Sequence, residues 1–173
     1  MNFKESTLQE NCLYDGKILK LNKDVVSLPN GNTSIREYVT HTGGSAILCV
    51  KDGKVLLVKQ YRYAYREEIW EIPAGKLNPN EDPMQTAIRE LEEEGGILAS
   101  KVEKLFDVYP TPGYSNEIIR IYKATEFKET SAHLDPDEFL TAKWFDLAEV
   151  KTMIENGEIK DSKSLIALLT IIK

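Results

Sequence analysis

Cysteine is nearly missing from this chain. Cys12 and Cys49 are the only two in 173 residues and lie far apart, so no disulfide framework is expected and the compartment reads as cytoplasmic. A hydrophobic leader is missing as well: Met1-Asn2-Phe3-Lys4-Glu5 runs into polar residues, and no signal peptide is visible. No apolar run approaches the ~20 residues of a membrane span, so no membrane partner is expected. Nor is there an excess of positive charge. The net charge of −6 argues against a nucleic-acid partner, because neutralising phosphates needs a basic face. No linker, repeat or low-complexity run divides the chain. What remains is an ordinary soluble composition, 42% hydrophobic and 29% charged, in a chain long enough to bury its own core.

One stretch organises the rest. Gly75 to Ile97 reads GKLNPNEDPMQTAIRELEEEGGI. Asp82, Pro83 and Gln85 write a helix start, with an N-cap carboxylate, proline at the first helical position and a capping-box amide. Gly95-Gly96 writes the stop. Met84, Ile88 and Leu91 recur at helical spacing and are expected to face a core. Glu90, Glu93 and Glu94 then share another arc of the helix, so three carboxylates converge on one face. Acidic side chains at a helix C-terminus oppose the macrodipole, and the pairs Glu90–Glu93 and Glu90–Glu94 repel at roughly 0.2–0.5 kcal/mol each. Such a turn is either a solvated charge run or a holder of cations. Oxygen ligands on a rigid helix suit magnesium or manganese better than zinc.

Gly75, Glu81, Arg89-Glu90-Leu91, Glu93-Glu94 and Gly96-Ile97 resemble the Nudix box with no position missing. In that family the loop–helix–loop binds divalent metal and hydrolyses a diphosphate joined to some other group. The resemblance implies Mg²⁺, with Mn²⁺ as the alternative. Within the box, Glu90 and Glu94 lie one turn apart and are the pair expected to coordinate metal, with Glu93 beside them. Arg89 lies on a different arc and is expected to tie down Glu81, so that Gly75, Glu81, Arg89 and Gly96 serve structure. Glu92 reads as solvated charge. By resemblance alone, the carbonyl of Ala74 is a further metal ligand.

Several stretches are similar to the ADP-ribose pyrophosphatase branch of the family. Residues 1–41 contain short strands around Ile18–Leu21 and Val25–Val26, the turn Pro29-Asn30-Gly31-Asn32 and a strand near Ser34–His41. This antiparallel unit is too small for a core of its own. In the branch, a three-stranded N-terminal sheet of this kind helps make a swapped homodimer, so 1–41 is expected to dimerise and 42–173 to be the Nudix domain. Arg36 and Glu37 are candidates for substrate or interface contacts, against the plainer reading of a salt-bridged pair. Ala46–Lys51 and Lys54–Gln60 are strands joined by the hairpin signal Asp52-Gly53. Gln60-Tyr61-Arg62 matches a Q-x-R stretch whose arginine holds substrate phosphate or ribose; a structural ion pair is the alternative. Glu71, in the lead-in Glu71-Ile72-Pro73-Ala74-Gly75, either pairs with an arginine or touches substrate.

Strands are expected at Lys101–Val108, Ile118–Thr125 and Phe139–Phe145. Between the first two, Tyr109-Pro110-Thr111-Pro112-Gly113-Tyr114 makes a stiff loop. Pro112, fifteen residues beyond Ile97, occupies the family's marker position for ADP-ribose-type substrates. Glu117 is a candidate further acid at the metal cluster. In the branch, the loop before the last strand carries a glutamate that activates the attacking water. Glu138 is chosen here, with Asp135, Asp137 and Glu93 as alternatives. His133 reads as exposed. Two closing helices, Leu147–Asn156 with an Asp146/Glu149 capping box and Lys163–Ile172 capped by Asp161 or Ser162, read as packing elements.

The expected architecture is therefore a Nudix α/β/α sandwich with a mixed sheet, plus an N-terminal antiparallel three-stranded sheet. The expected reaction is metal-dependent hydrolysis of ADP-ribose to AMP and ribose 5-phosphate. The rivals are a hydrolase of another nucleoside diphosphate derivative or of nucleoside triphosphates, and a non-catalytic nucleotide sensor.

Overall fold

The structure, a computed structural model, describes residues 2–172. The chain forms two compact units. One comprises Met1–Gly43 together with Tyr109–Ile118, the other Gly44–Val108 together with Ile119–Lys173.

In the first unit β1 (Ser6–Gln9), β2 (Cys12–Asp15), β3 (Leu19–Ser27) and β4 (Thr33–His41) make a four-stranded antiparallel sheet. It has one strand more than the sequence suggested, and the two short strands expected between Ile18 and Val26 are one continuous β3. The polar residues in the middle of β3 stay in the ladder because their side chains are bonded across it. Asn22 Nδ2 donates to Thr40 Oγ1 (2.9 Å), and Asp24 accepts from the Tyr38 hydroxyl and the Asn11 N–H, both at 3.0 Å. The proline-containing loop lies along β4. Val39 N–H donates to the Tyr114 carbonyl (2.7 Å), and Asn116 Oδ1 accepts from His41 N–H (2.9 Å).

The second unit is a mixed sheet of seven strands: β5 (Gly44–Lys51), β6 (Lys54–Arg62), β7 (Glu67–Glu71), β8 (Ala74–Lys76), β9 (Ile97–Val108), β10 (Ile119–Glu129) and β11 (Leu140–Asp146). The order is β11-β6-β5-β10-β9, with β7 on β6 and β8 on β5. The β5–β10 pair is parallel and the other pairs are antiparallel. Asp52 (φ 50°) and Gly53 (φ 75°) have the left-handed backbone that a two-residue hairpin turn requires.

Alternation along β5 sorts the core into two layers. Ala46 and Leu48 face Val55, Leu57 and Phe145 together with the helices α2 (Leu147–Glu155) and α3 (Ser162–Leu168). Ile47 and Cys49 face the opposite helix, α1 (Pro83–Gly95), through Ala87 and Leu91. This is the expected α/β/α sandwich. Burying each large aliphatic side chain contributes about 1.5–3 kcal/mol. Burial also pushes the Cys49 thiol up to about 12, so it stays protonated and packs as an apolar residue.

Local expectations failed at three places. Met84 is 37% exposed rather than in the core, because the apolar stripe of α1 starts a turn later, at Ala87. The Asp146 carboxylate makes no capping hydrogen bond. Helix α3 ends at Leu168, well before Ile172, where the Thr170 hydroxyl donates to the Ala167 carbonyl (2.6 Å) as the helix runs out.

Candidate active site

Helix α1 is held at both ends by the signals written into it. Asp82 accepts from the N–H groups of Met84 (2.9 Å) and Gln85 (3.2 Å), Pro83 stands in the first turn, and Gly96 closes the helix in the left-handed conformation at φ 63°. Arg89 donates through Nε to Glu81 (2.9 Å) and through Nη2 to its other oxygen (3.3 Å). That pair ties loop to helix as expected, and the guanidinium holds the Glu81 carboxyl down at about 2. The same arginine reaches further than the sequence suggested. Its Nη1 lies 2.8 Å from Glu90 and 2.6 Å from Glu93.

Glu90 and Glu94 turn inward and are only 7% and 4% exposed. The Glu90 carboxyl lies against Gly75, where a Cβ would stand 1.8 Å from Glu90 Oε1 and 2.1 Å from its carboxyl carbon. Gly75 is required by this close approach rather than by backbone conformation. Glu94 Oε2 accepts from the Ala74 N–H at 3.0 Å. Glu93 is engaged by the same Arg89 nitrogen that reaches Glu90, and among the described residues no three His, Cys, Asp or Glu side chains form a ready-made metal cage.

Burial is the main reason Glu90 is pushed up to about 7, against the pull of Arg89. Burial, followed by repulsion from Glu90, pushes Glu94 up to about 8. Two buried carboxyls that cannot both ionise comfortably are a donor set short of positive charge. A divalent cation is the group they fit, and hard oxygen donors suit Mg²⁺ or Mn²⁺. Nearby, Ser45 Oγ is the buried side-chain polar atom that has no hydrogen-bond partner among the described residues.

The loop between β10 and β11 is fastened to the end of α1 by its backbone. Thr130 N–H donates to the Gly96 carbonyl (2.7 Å), and His133 N–H to the Glu93 carbonyl (3.0 Å). Glu138 lies exposed at the end of this loop, in a turn with Asp135 (Glu138 N–H to the Asp135 carbonyl, 2.9 Å). Its charge is among those that raise Glu90 and Glu94. His133 is exposed.

Arg62 and Glu71 are each other's partners. Arg62 donates through Nε and Nη2 to the two oxygens of Glu71, both at 2.6 Å, and the buried Lys163 donates to Glu71 as well. Lys163 also lies 3.0 Å from Asp161, whose carboxylate caps α3 at Ser164 N–H (2.9 Å). No local signal in the sequence connects Lys163 with Glu71, which lies on β7.

The remaining candidates belong to the first unit. Arg36 Nε donates to Glu5 (2.9 Å), Glu37 lies 3.6 Å from Lys23, and Glu117 lies 3.4 Å from His41 Nδ1. Pro112 is exposed in the turn closed by Tyr114 N–H to the Thr111 carbonyl (3.2 Å).

A profile of the NUDIX domain matches residues 39–168. The chain belongs to the Nudix family. It is 42% identical over 169 residues to a methanol dehydrogenase activator of Bacillus methanolicus, covering 96% of this chain and 91% of the relative. It is 39% identical over 170 residues to an ADP-ribose pyrophosphatase of Bacillus subtilis (strain 168), covering 96% and 92%. A solved structure of an ADP compounds hydrolase superposes with a TM-score of 0.83 over 96% of this chain and 91% of that one; at 21% identity this is a likeness of fold. As a Nudix member the protein is a hydrolase, and the family's enzymes generally use divalent metal ions.

Proposed function

We propose that this Nudix hydrolase splits the diphosphate of ADP-ribose, and of related ADP-sugars, with water and a divalent cation, releasing AMP and ribose 5-phosphate. The buried pair Glu90–Glu94, packed against Ala74 and Gly75, carries the proposal. The likeness to an ADP-ribose pyrophosphatase along nearly the whole chain supports the substrate.

In this reading Glu90, Glu94, Glu93 and the Ala74 carbonyl would hold Mg²⁺, with Mn²⁺ as the alternative, which when bound would acidify water and offset charge developing on the phosphates. Glu138 takes the proton of the attacking water, its loop fixed to α1 through Gly96 and Glu93; Asp135, Asp137 and Glu93 are the alternatives. The water oxygen bonds to one phosphorus and the bridging P–O bond breaks. Arg62 binds phosphate through Nη1, the nitrogen that Glu71 leaves free, so Glu71 orients it. Arg36, Glu37, Pro112 and Glu117 are further substrate-binding residues in this reading.

In this reading the protein works as a cytoplasmic homodimer through its N-terminal strands. Exposed Leu8, Leu13, Tyr14, Ile18 and Ile35 support an interface there. No helix among the described residues is long and apolar enough to cross a membrane.

The test is AMP release from ADP-ribose with magnesium, beside ADP-glucose, NADH, FAD and 8-oxo-dGTP and an EDTA control. ADP-ribose should be the preferred substrate and EDTA should abolish turnover. A clear preference for NADH or 8-oxo-dGTP would move the substrate assignment, and no cleavage at all would favour a sensor.

A further inference from the structure

An arginine that no local pattern singled out stands in the same layer as the buried carboxylates. The chain has five arginines. Arg36, Arg62 and Arg89 are paired with carboxylates, and Arg66 lies over the Tyr63 ring at 3.5 Å. Arg120 alone has no side-chain ion pair, hydrogen bond or ring contact among the described residues. It is half-buried at the start of β10. Its cross-strand neighbour Asp107 is taken by Lys104 at 2.7 Å. A partly desolvated guanidinium without an anion is an unfavourable arrangement unless a ligand completes it.

The strand register says which ligand. Arg120 is paired with Ser45 across the parallel β5–β10 ladder, and Ser45 with Gly75 across β5–β8. Residues paired in register point to the same face. That face is α1's, because Ser45 alternates with Ile47 and Cys49, and Arg120 with Tyr122 and Ala124, all of which pack in the layer of Ala87 and Leu91. It is also the face on which Gly75 meets Glu90. One row across three strands thus carries the glycine beneath the metal-binding carboxyl, the orphaned Ser45 hydroxyl and the unpaired arginine. Two unsatisfied polar groups side by side, at the end of the sheet where the carboxylates lie, suit an anionic ligand.

We propose that Arg120 is a substrate-binding residue that receives a phosphate of the diphosphate, on the side of the site opposite to Arg62's tie to Glu71. This rests on the reading of the site as a diphosphate hydrolase. The cation held by the carboxylates and Arg120 then address the same diphosphate from neighbouring positions, and Arg120 supplies charge-assisted hydrogen bonds that need no metal.

The experiment compares wild type, Arg120→Met and Arg120→Lys. KM and kcat for ADP-ribose are measured with magnesium, the dissociation constant of the non-hydrolysable α,β-methylene analogue with EDTA present, and the melting temperature of each free protein. Arg120→Met should raise KM and the analogue's dissociation constant at least tenfold with kcat within threefold, and should leave the melting temperature unchanged or higher. Arg120→Lys should recover most of the binding. Wild-type protein that leaves ADP-ribose intact would overturn the substrate reading and this assignment with it. Normal wild-type turnover with an unchanged KM in Arg120→Met would overturn this assignment alone.

Discussion

The narrowest contact in the site gives the sharpest prediction. Gly75→Ala places a methyl group 1.8 Å from Glu90 Oε1, 2.1 Å from its carboxyl carbon and 2.6 Å from Oε2. An ordinary carbon–oxygen contact is about 3.3 Å, so the carboxyl must withdraw by about 1.5 Å. Glu90 presents the far end of a side chain, so the fold survives, at an overpacking cost of about 1–3 kcal/mol. The site does not survive as well. Misplacing a reacting or binding group by about 1 Å costs on the order of 10²-fold in rate, and that loss in kcat is the expected outcome, measured as AMP release from ADP-ribose at saturating magnesium. Circular dichroism and a melting curve establish that the variant is folded. The double variant Gly75→Ala/Glu90→Gln decides the cause. If the methyl acts through the Glu90 carboxyl, the double variant is no slower than Glu90→Gln alone. A folded Gly75→Ala enzyme with kcat within threefold of wild type, or losses that simply add in the double variant, would refute the reasoning.

Three further outcomes are expected. Glu94→Gln keeps the hydrogen bond from Ala74 while removing the charge; turnover should fall at least ~10²-fold with the fold intact, and near-normal rates in excess magnesium would sink its role as a ligand. The pH dependence of the metal-free protein follows from carboxyls raised to about 7 at Glu90 and about 8 at Glu94. Their folded-state values lie above the unfolded ones, so their stabilisation is full below pH ~4.5 and is lost as pH rises through 7 to 8. The melting temperature in EDTA should therefore fall between pH 5 and pH 9, and magnesium should restore most of the loss; a flat profile would mean that the two groups are not buried. Ser45→Ala removes a buried hydroxyl without a partner and should stabilise the metal-free protein by about 1 kcal/mol, read as a shift in urea midpoint. A destabilised variant would show that the hydroxyl has a partner.

What could be read in advance was whatever is written locally. The cap at Asp82, the stop at Gly96, the Asp52-Gly53 hairpin and the tie between Arg89 and Glu81 all join residues within ten positions of one another, where helix and turn geometry fix what can meet. Strands β1, β2 and β7 escaped notice because each is short, and in β1 and β2 every residue is exposed and no alternation of polarity marks them. The second partner of Glu71 on β7, Lys163, and the partner of the Ile72 N–H, which donates to Ser164 Oγ at 2.8 Å, each lie 92 positions away on α3. No periodicity reaches so far. The row Gly75–Ser45–Arg120 exists only because β10 returns parallel to β5. The inward turn of Glu90 and Glu94 was half legible: spacing put them on one arc, but only the position of β8 makes that arc an interior one.

The two bonds that hold the β10–β11 loop to the end of α1 run from backbone to backbone, at Thr130–Gly96 and His133–Glu93. Nothing in them depends on the identity of the loop's side chains, all of which are exposed from Ser131 to Phe139. The loop's path and its contents are thus inherited separately. Mutation can rewrite the residues it presents, moving the acid by a position or exchanging it, while the frame that delivers them stays where it was. A lineage with this arrangement can change its reagents without rebuilding its scaffold.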